Sequence, residues 1–231
     1  MKRALFALIG LCVVPALLHA QEWSAPVRGS WVRVEAAQPG DVVLVTNGRE
    51  GCEIVVGPSE HTAVKQAATF LAGDIEKISG YRPPIVTAPT GRRAAIRFET
   101  RSSGRWEAYQ VRTENGVVWL IGSDFRGTAY AGYTLGERLG IDPLYLWTGY
   151  TPDKHPTLVM KAANLSVDPP TFRFRGFFHD DEDILPRPFD ENGYPLQTGT
   201  VARIWYERFF ETALRLRMNM VAPYVDRKSV V

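Results

Sequence analysis

Cysteine is nearly absent: the 231 residues hold two, Cys12 and Cys52. Cys12 lies in the apolar start 4-ALFALIGLCVVPALL-18, which follows Lys2 and Arg3 and precedes the small residue Ala20. A basic start, an apolar run and a small residue form the pattern of a secretory signal peptide, here residues 1–20, cut before Gln21. The rival is a membrane-spanning helix, which needs a longer run and no kink at Pro15. Once residues 1–20 are removed only Cys52 remains, and one cysteine makes neither an internal disulfide nor a cysteine-built zinc cage. The expected location is the periplasm or the outside of the cell, with no membrane contact after cleavage.

Charge of one sign is lacking as well. The formal net charge is +2, and Lys and Arg are scattered along the chain. Without a basic stripe there is no electrostatic footprint for a nucleic-acid partner. Low-complexity tracts and internal repeats are also missing, so the rest reads as ordinary globular chain of one domain or two small ones.

Short β-rich runs and helical runs alternate through that chain. The segments 31-WVRVEA-36, 42-VVLVT-46, 52-CEIVVG-57, 84-PIVTA-88 and 94-AAIRFE-99 read as strands. Val64, Ala67, Leu71, Ile75 and Ile78 recur at helical spacing in 59–80, with Ser59 as the expected N-cap and Gly80 past the last turn. Asn115-Gly116 between two β-rich runs predicts a two-residue hairpin over 106–123. A second helix is expected over 125–140. Residues 21–165 are therefore expected to form an α/β, sandwich-like domain. The proline-bearing stretch 152–170 reads as a linker.

The remainder, 166–231, reads as a strand at 172–178, a helix at 201–219 and a strand at 220–225. One strand–helix–strand unit cannot cover both faces of a parallel pair, and a βα barrel needs eight such units. This segment is expected to be the truncated start of a TIM-type (β/α)8 barrel, and the chain is expected to hydrolyse nothing alone.

Between that strand and that helix, 179-HDDED-183 packs four carboxylates and a histidine into five positions. A solvated acidic loop is the bland reading. A metal site would need several oxygens converging on one ion, and His-x-Asp-x-Asp is no specific metal pattern. Carboxylates at the C-terminal end of a barrel strand, by contrast, stand where acid–base chemistry is done. Other candidates are weaker on residues alone. Trp147 could stack on a sugar or fill a core. Arg126 could grip a carboxylate of a ligand or pair with Asp124. Glu137 sits in a helix, where exposed glutamate is ordinary.

Four segments together resemble the N-terminal part of glycoside hydrolase family 115, the xylan α-1,2-glucuronidases: 71-LAGDIEKISGYRPPI-85, 122-GSDFRGTAYAGYTLGERLGIDPLYLWTGY-150, 175-RGFFHDDED-183 and 208-RFFETALRLRMNMVAPY-224. The resemblance implies a small α/β domain ahead of a TIM-type catalytic barrel. It implies removal of glucuronic acid, or its 4-O-methyl form, from glucuronoxylan by an acid and a base that flank a water. No metal and no cofactor are implied. Asp181 matches the family's functional aspartate, and Asp180 stands where the family has asparagine. Glu137 is carried over as a second catalytic candidate. Asp180, Glu182, Trp147 and Arg126 are carried over as substrate-binding candidates. The partner carboxylate is expected beyond residue 231, and a homodimer of the full-length form is left open. Two other readings stand beside this one: a stand-alone carbohydrate-binding or scaffold domain, and a different glycoside hydrolase with a similar leading domain.

Overall fold

A computed structural model describes residues 27–92, 94–179 and 203–223. Its elements, in chain order, are β1 (Val42–Thr46), β2 (Glu50–Gly51), β3 (Glu53–Val56), α1 (Thr62–Ser79), β4 (Ile85–Val86), β5 (Ala95–Thr100), β6 (Tyr109–Glu114), β7 (Val117–Gly122), α2 (Phe125–Leu139), α3 (Tyr145–Thr148), β8 (Leu158–Met160), β9 (Asn164–Val167), β10 (Gly176–His179), α4 (Arg203–Arg215) and β11 (Met220–Pro223). The fold is mixed α/β, as expected. Residues 1–20, read above as a signal peptide, and residues 180–202 and 224–231 lie outside the described residues.

The main sheet has the order β4-β3-β5-β7-β6-β9. Its β4, β3, β5 and β7 run parallel, while β6 pairs antiparallel with β7 and β9. Alternation assigns the faces: Ile96, Phe98, Val118 and Leu120 are buried, while Arg97, Glu99 and Trp119 stay partly open. On the open face the Arg97 and Arg112 guanidinium groups lie 5.1 and 5.7 Å from the Trp119 ring centroid. A smaller antiparallel sheet, β2-β1-β8, adjoins through buried Cys52.

The β6–β7 hairpin turns on Asn115 and Gly116 at φ 50° and 77°, the left-handed pair that this dipeptide accepts. Helix α1 presents Val64, Ala67, Leu71, Ile75 and Ile78 to the core. Its cap differs from expectation. A turn from Gly57 to Glu60 delays the helix, and His61 Nδ1, not Ser59, accepts the Ala63 N–H at 3.1 Å. Helix α2 is buried almost all round, including Gly127, Ala129, Ala131, Gly132 and Gly136. A helix buried on every side is a central layer, and small residues let its neighbours approach.

Two further expectations fail in detail. Residues 31–36 form a single bridge, Val32 to Met160, flanked by the bonds from the Arg33 N–H to the Val159 carbonyl and from the Lys161 N–H to the Trp31 carbonyl, and not the expected strand. The expected linker 152–170 contributes β8 and β9 to the two sheets, its prolines falling outside both strands. Strand β9 carries the main sheet across residue 165.

Candidate functional site

The expected strand–helix–strand unit is present, but its first strand begins at Gly176, not Phe172: residues 172–175 form no strand, and Phe172 and Phe174 are exposed. Strands β10 and β11 pair in parallel, Gly176 with Met220 through His179 with Pro223. Gly176 is required there: a Cβ would meet the Met220 carbonyl oxygen at 1.8 Å. Helix α4 covers the pair, with Phe209 5.8 Å from Phe177, ring centre to ring centre. Its Phe209, Thr212 and Ala213 repeat at helical spacing and are buried. The chain leaves β10 at His179 and enters the acidic run. Asp180, Asp181 and Glu182 themselves lie outside the described residues.

The opposite, N-terminal end of the strand pair is closed by charge. Arg175 and Asn219 immediately precede β10 and β11, and both reach Glu107: Arg175 Nη2 donates at 2.6 Å and Asn219 Nδ2 at 2.9 Å. Glu107 is 1 % exposed and sits at φ 54°. Arg217, in the turn before β11, donates to Thr134 Oγ1 at 3.0 Å and pairs with Glu137. Tyr130 Oη donates to the Met218 carbonyl at 3.1 Å. All four partners, Glu107, Tyr130, Thr134 and Glu137, belong to α2 or the segment before β6.

A third carboxylate is as deeply buried as Glu107. Asp74 of α1 accepts both Nη groups of Arg215 at 2.8 Å, and side chains of both residues are at most 3 % exposed. Gly136 makes the room, since a Cβ there would sit 2.6 Å from Asp74 Oδ2. Arg215 also donates to Glu211, which accepts the Tyr145 hydroxyl at 2.9 Å. Burial pushes the Asp74 carboxyl up, while the Arg215 charge pulls it back. Burial works against the Arg215 charge, but Asp74 outweighs it and holds the guanidinium above its ordinary value. The pair is ionised together: a bidentate fork of guanidinium donors needs a carboxylate acceptor.

The sequence-expected residues therefore separate. Glu137 pairs with Arg217 at the N-terminal end of the strand pair, and the acidic run leaves from the other end. Four strand residues, about 10 Å at the usual rise, divide the two. Arg126 lies 3.7 Å from Glu107, while Asp124 caps α2 through the Gly127 N–H at 2.7 Å. Trp147 is committed to α4: its Nε1 donates to Thr212 Oγ1 at 2.7 Å and its ring meets Trp205 at 5.7 Å. Neither Glu137 nor Arg126 is brought to the strand C-terminal ends, while Trp147 meets α4 in its first turn, at Trp205. Asp74, Glu107 and Arg215 were missed. Asp74 had a signal, for it interrupts the apolar stripe between Leu71 and Ile75. Glu107 had none, because its partners come from 68 and 112 residues away. Among the described residues no group of three or more His, Cys, Asp or Glu is placed to hold a metal. No helix among them is long and apolar enough to cross a membrane.

Residues 167–231 match the family model Glycosyl hydrolase family 115. The chain resembles that family through this segment. The match begins at the end of β9 and takes in the whole strand–helix–strand unit. A comparison with curated proteins finds no match. Among solved structures, a family GH115 4-O-methyl-α-glucuronidase, BtGH115A, with specificity for decorated arabinogalactans, is 24% identical with a TM-score of 0.65. The alignment covers 79% of this chain and 26% of that one. The Streptomyces plicatus N-acetyl-β-hexosaminidase is 17% identical at TM-score 0.55, covering 86% of this chain and 33% of its own. The GH20 exo β-N-acetylglucosaminidase of Vibrio harveyi is 14% identical at 0.52, covering 87% and 25%. These likenesses are of fold. The chain spans a quarter to a third of each of those proteins.

Proposed function

We propose that the chain is the leading part of a secreted glycoside hydrolase that removes glucuronic acid, or its 4-O-methyl form, from glucuronoxylan. The observation that carries this reading is the family 115 match over 167–231, the segment that holds the acidic run. The geometry supports it. Strands β10 and β11 are parallel, and the run follows the C-terminal end of β10, where a βα barrel keeps its working groups. Among the described residues the two strands pair only with each other. Exposed Phe172, Phe174 and Met220 offer apolar surface beside them for further strands and helices.

In this reading Asp181 is the carboxylate that positions or activates the reacting groups, with Asp180 and Glu182 beside it. The second carboxylate comes from elsewhere in the barrel, across a gap that admits water. Glu137 is reassigned: its pairing with Arg217 holds the barrel's first unit in place, while Arg126 stands beside Glu107 and Trp147 against α4. A hexosaminidase reading shares the fold but lacks the segment match.

The test is hydrolysis by a form of the protein carrying a complete barrel. Release of uronic acid from glucuronoxylan, lost in Asp181→Asn by a factor of about a hundred or more, is the expected result for a group in acid–base chemistry. Turnover of an aryl N-acetyl-β-hexosaminide with none on glucuronoxylan would replace this reading with the second.

A further inference from the structure

The acidic run poses a register problem. In an extended strand successive side chains point to opposite faces, so a slip of one residue exchanges every side chain between faces. A run of four adjacent carboxylates reads much the same after such a slip. Something outside the run must therefore set the phase in which the chain leaves β10.

We infer that Glu107 is a positioning residue that fixes the register of β10 against β11. Its Oε2 takes Arg175 Nη2 at 2.6 Å and its Oε1 takes Asn219 Nδ2 at 2.9 Å. Arg175 and Asn219 are the register step next to Gly176 and Met220, and they bond each other: Arg175 N–H to Asn219 Oδ1 at 3.0 Å, Asn219 N–H to the Arg175 carbonyl at 2.9 Å. One carboxylate thus bridges the leading residues of both strands. Its own place is fixed from behind, since the Glu107 N–H donates at 2.8 Å to Asp124 Oδ2, the side chain that caps α2. The left-handed φ of 54° is a conformation that costs energy and is kept only where the surroundings impose it. Shifting either strand by one residue would take Arg175 or Asn219 out of reach and leave a buried carboxylate short of donors. The consequence for chemistry, which of the adjacent carboxylates faces the site, rests on the proposed function. The register itself does not.

The experiment places cysteines at Phe178 and Ala222, Cα partners across the two strands, in the chain carrying Cys12→Ser. Cys52 does not compete, being buried with its thiol pushed up to about 12. The rate of disulfide formation in glutathione disulfide is followed by mass spectrometry, with hydrogen exchange of β5, β7 and α2 as the control for folding. Glu107→Ala is expected to slow cross-linking about tenfold or more, the scale of a lost hydrogen bond to a charged group, with Glu107→Gln in between. Asn219→Ala, which leaves Glu107 paired with Arg175, is expected to slow it too. Unchanged cross-linking in Glu107→Ala would overturn the inference and leave the register to the fit of Gly176 alone. Loss of protection across the main sheet in both alanine variants would overturn it as well, making Glu107 a general support of the fold. Neither result depends on hydrolase activity.

Discussion

Removing the Asp74 carboxylate tests the ion pair, buried on both sides, that joins the main domain to the strand–helix–strand unit. Asp74→Ala leaves the Arg215 guanidinium, 3% exposed, without its bidentate partner. Breaking a buried pair from one side costs about 3–5 kcal/mol, because the remaining charge is buried uncompensated. Two features put this site at the lower end. Glu211 stays 2.8 Å from Arg215, and the Phe70 and Tyr145 rings lie 5.6 and 5.1 Å from its guanidinium carbon. The expected loss is therefore about 3 kcal/mol, a large share of the 5–15 kcal/mol that holds a typical domain. With a urea dependence of about 3 kcal/mol/M, the denaturation midpoint falls by about 1 M. The double variant Asp74→Ala, Arg215→Met removes both charges and should recover part of the loss, to about 1–2 kcal/mol, since methionine fills the arginine stem's volume. A midpoint shift below about 0.3 M for Asp74→Ala would refute the reasoning, given a slope of that size. So would a double variant less stable than the single one, for then the guanidinium was never the burden.

Three further outcomes follow from named contacts. Gly176→Ala drives a Cβ into the Met220 carbonyl, so β10 and β11 must part; about 3 kcal/mol, the upper end for overpacking, should appear as lost exchange protection in 176–179 and 220–223. Asp124→Ala removes the acceptor for the Gly127 and Glu107 N–H groups and should lower stability by about 1–2 kcal/mol, read from thermal or urea unfolding. The Asp41 carboxyl is held at about 2 by its hydrogen bonds to Arg33, against an ordinary 3.8. A depressed folded-state value means stability present above about pH 4 and lost as the pH falls through 4 toward 2, so the thermal midpoint of Asp41→Asn should lack that part of the acid slope.

Local pattern made the main domain readable. The apolar spacing of α1, the Asn115-Gly116 turn and the alternation in β5 each concern residues close in sequence, and each stands where it was expected. The strand–helix–strand unit was legible for the same reason. Misreadings arose where a short segment is fixed by a distant one. Residues 158–160 and 164–167 look like linker until β1 and β6 supply their partners. The clasp at the strand N-terminal ends was hidden more thoroughly, for Glu107, Arg175 and Asn219 are unremarkable until the fold brings them together. The family pattern singled out Glu137 together with the acidic run and gave no sign that Glu137 meets an arginine.

Glu137 turns that ambiguity into a measurement. As a catalytic carboxylate, its replacement by glutamine would cost turnover heavily, about 10²–10⁴-fold, and leave stability nearly untouched, because the shape is kept. As the partner of Arg217 it does the reverse. The pair is about one-fifth exposed on each side, and Thr134 remains as an acceptor for the same Nη2. Glutamine can still accept a hydrogen bond from it, so the expected loss of stability is about 1 kcal/mol, that of a modest charge-assisted contact. In a form of the protein with a complete barrel, Glu137→Gln should keep its pH–rate profile, since no titrating group of the reaction has been removed. A shifted or flattened profile, with unfolding unchanged, would return Glu137 to the reaction centre. That outcome would require the strand pair to present its N-terminal end to substrate, against the placement of the acidic run at the other.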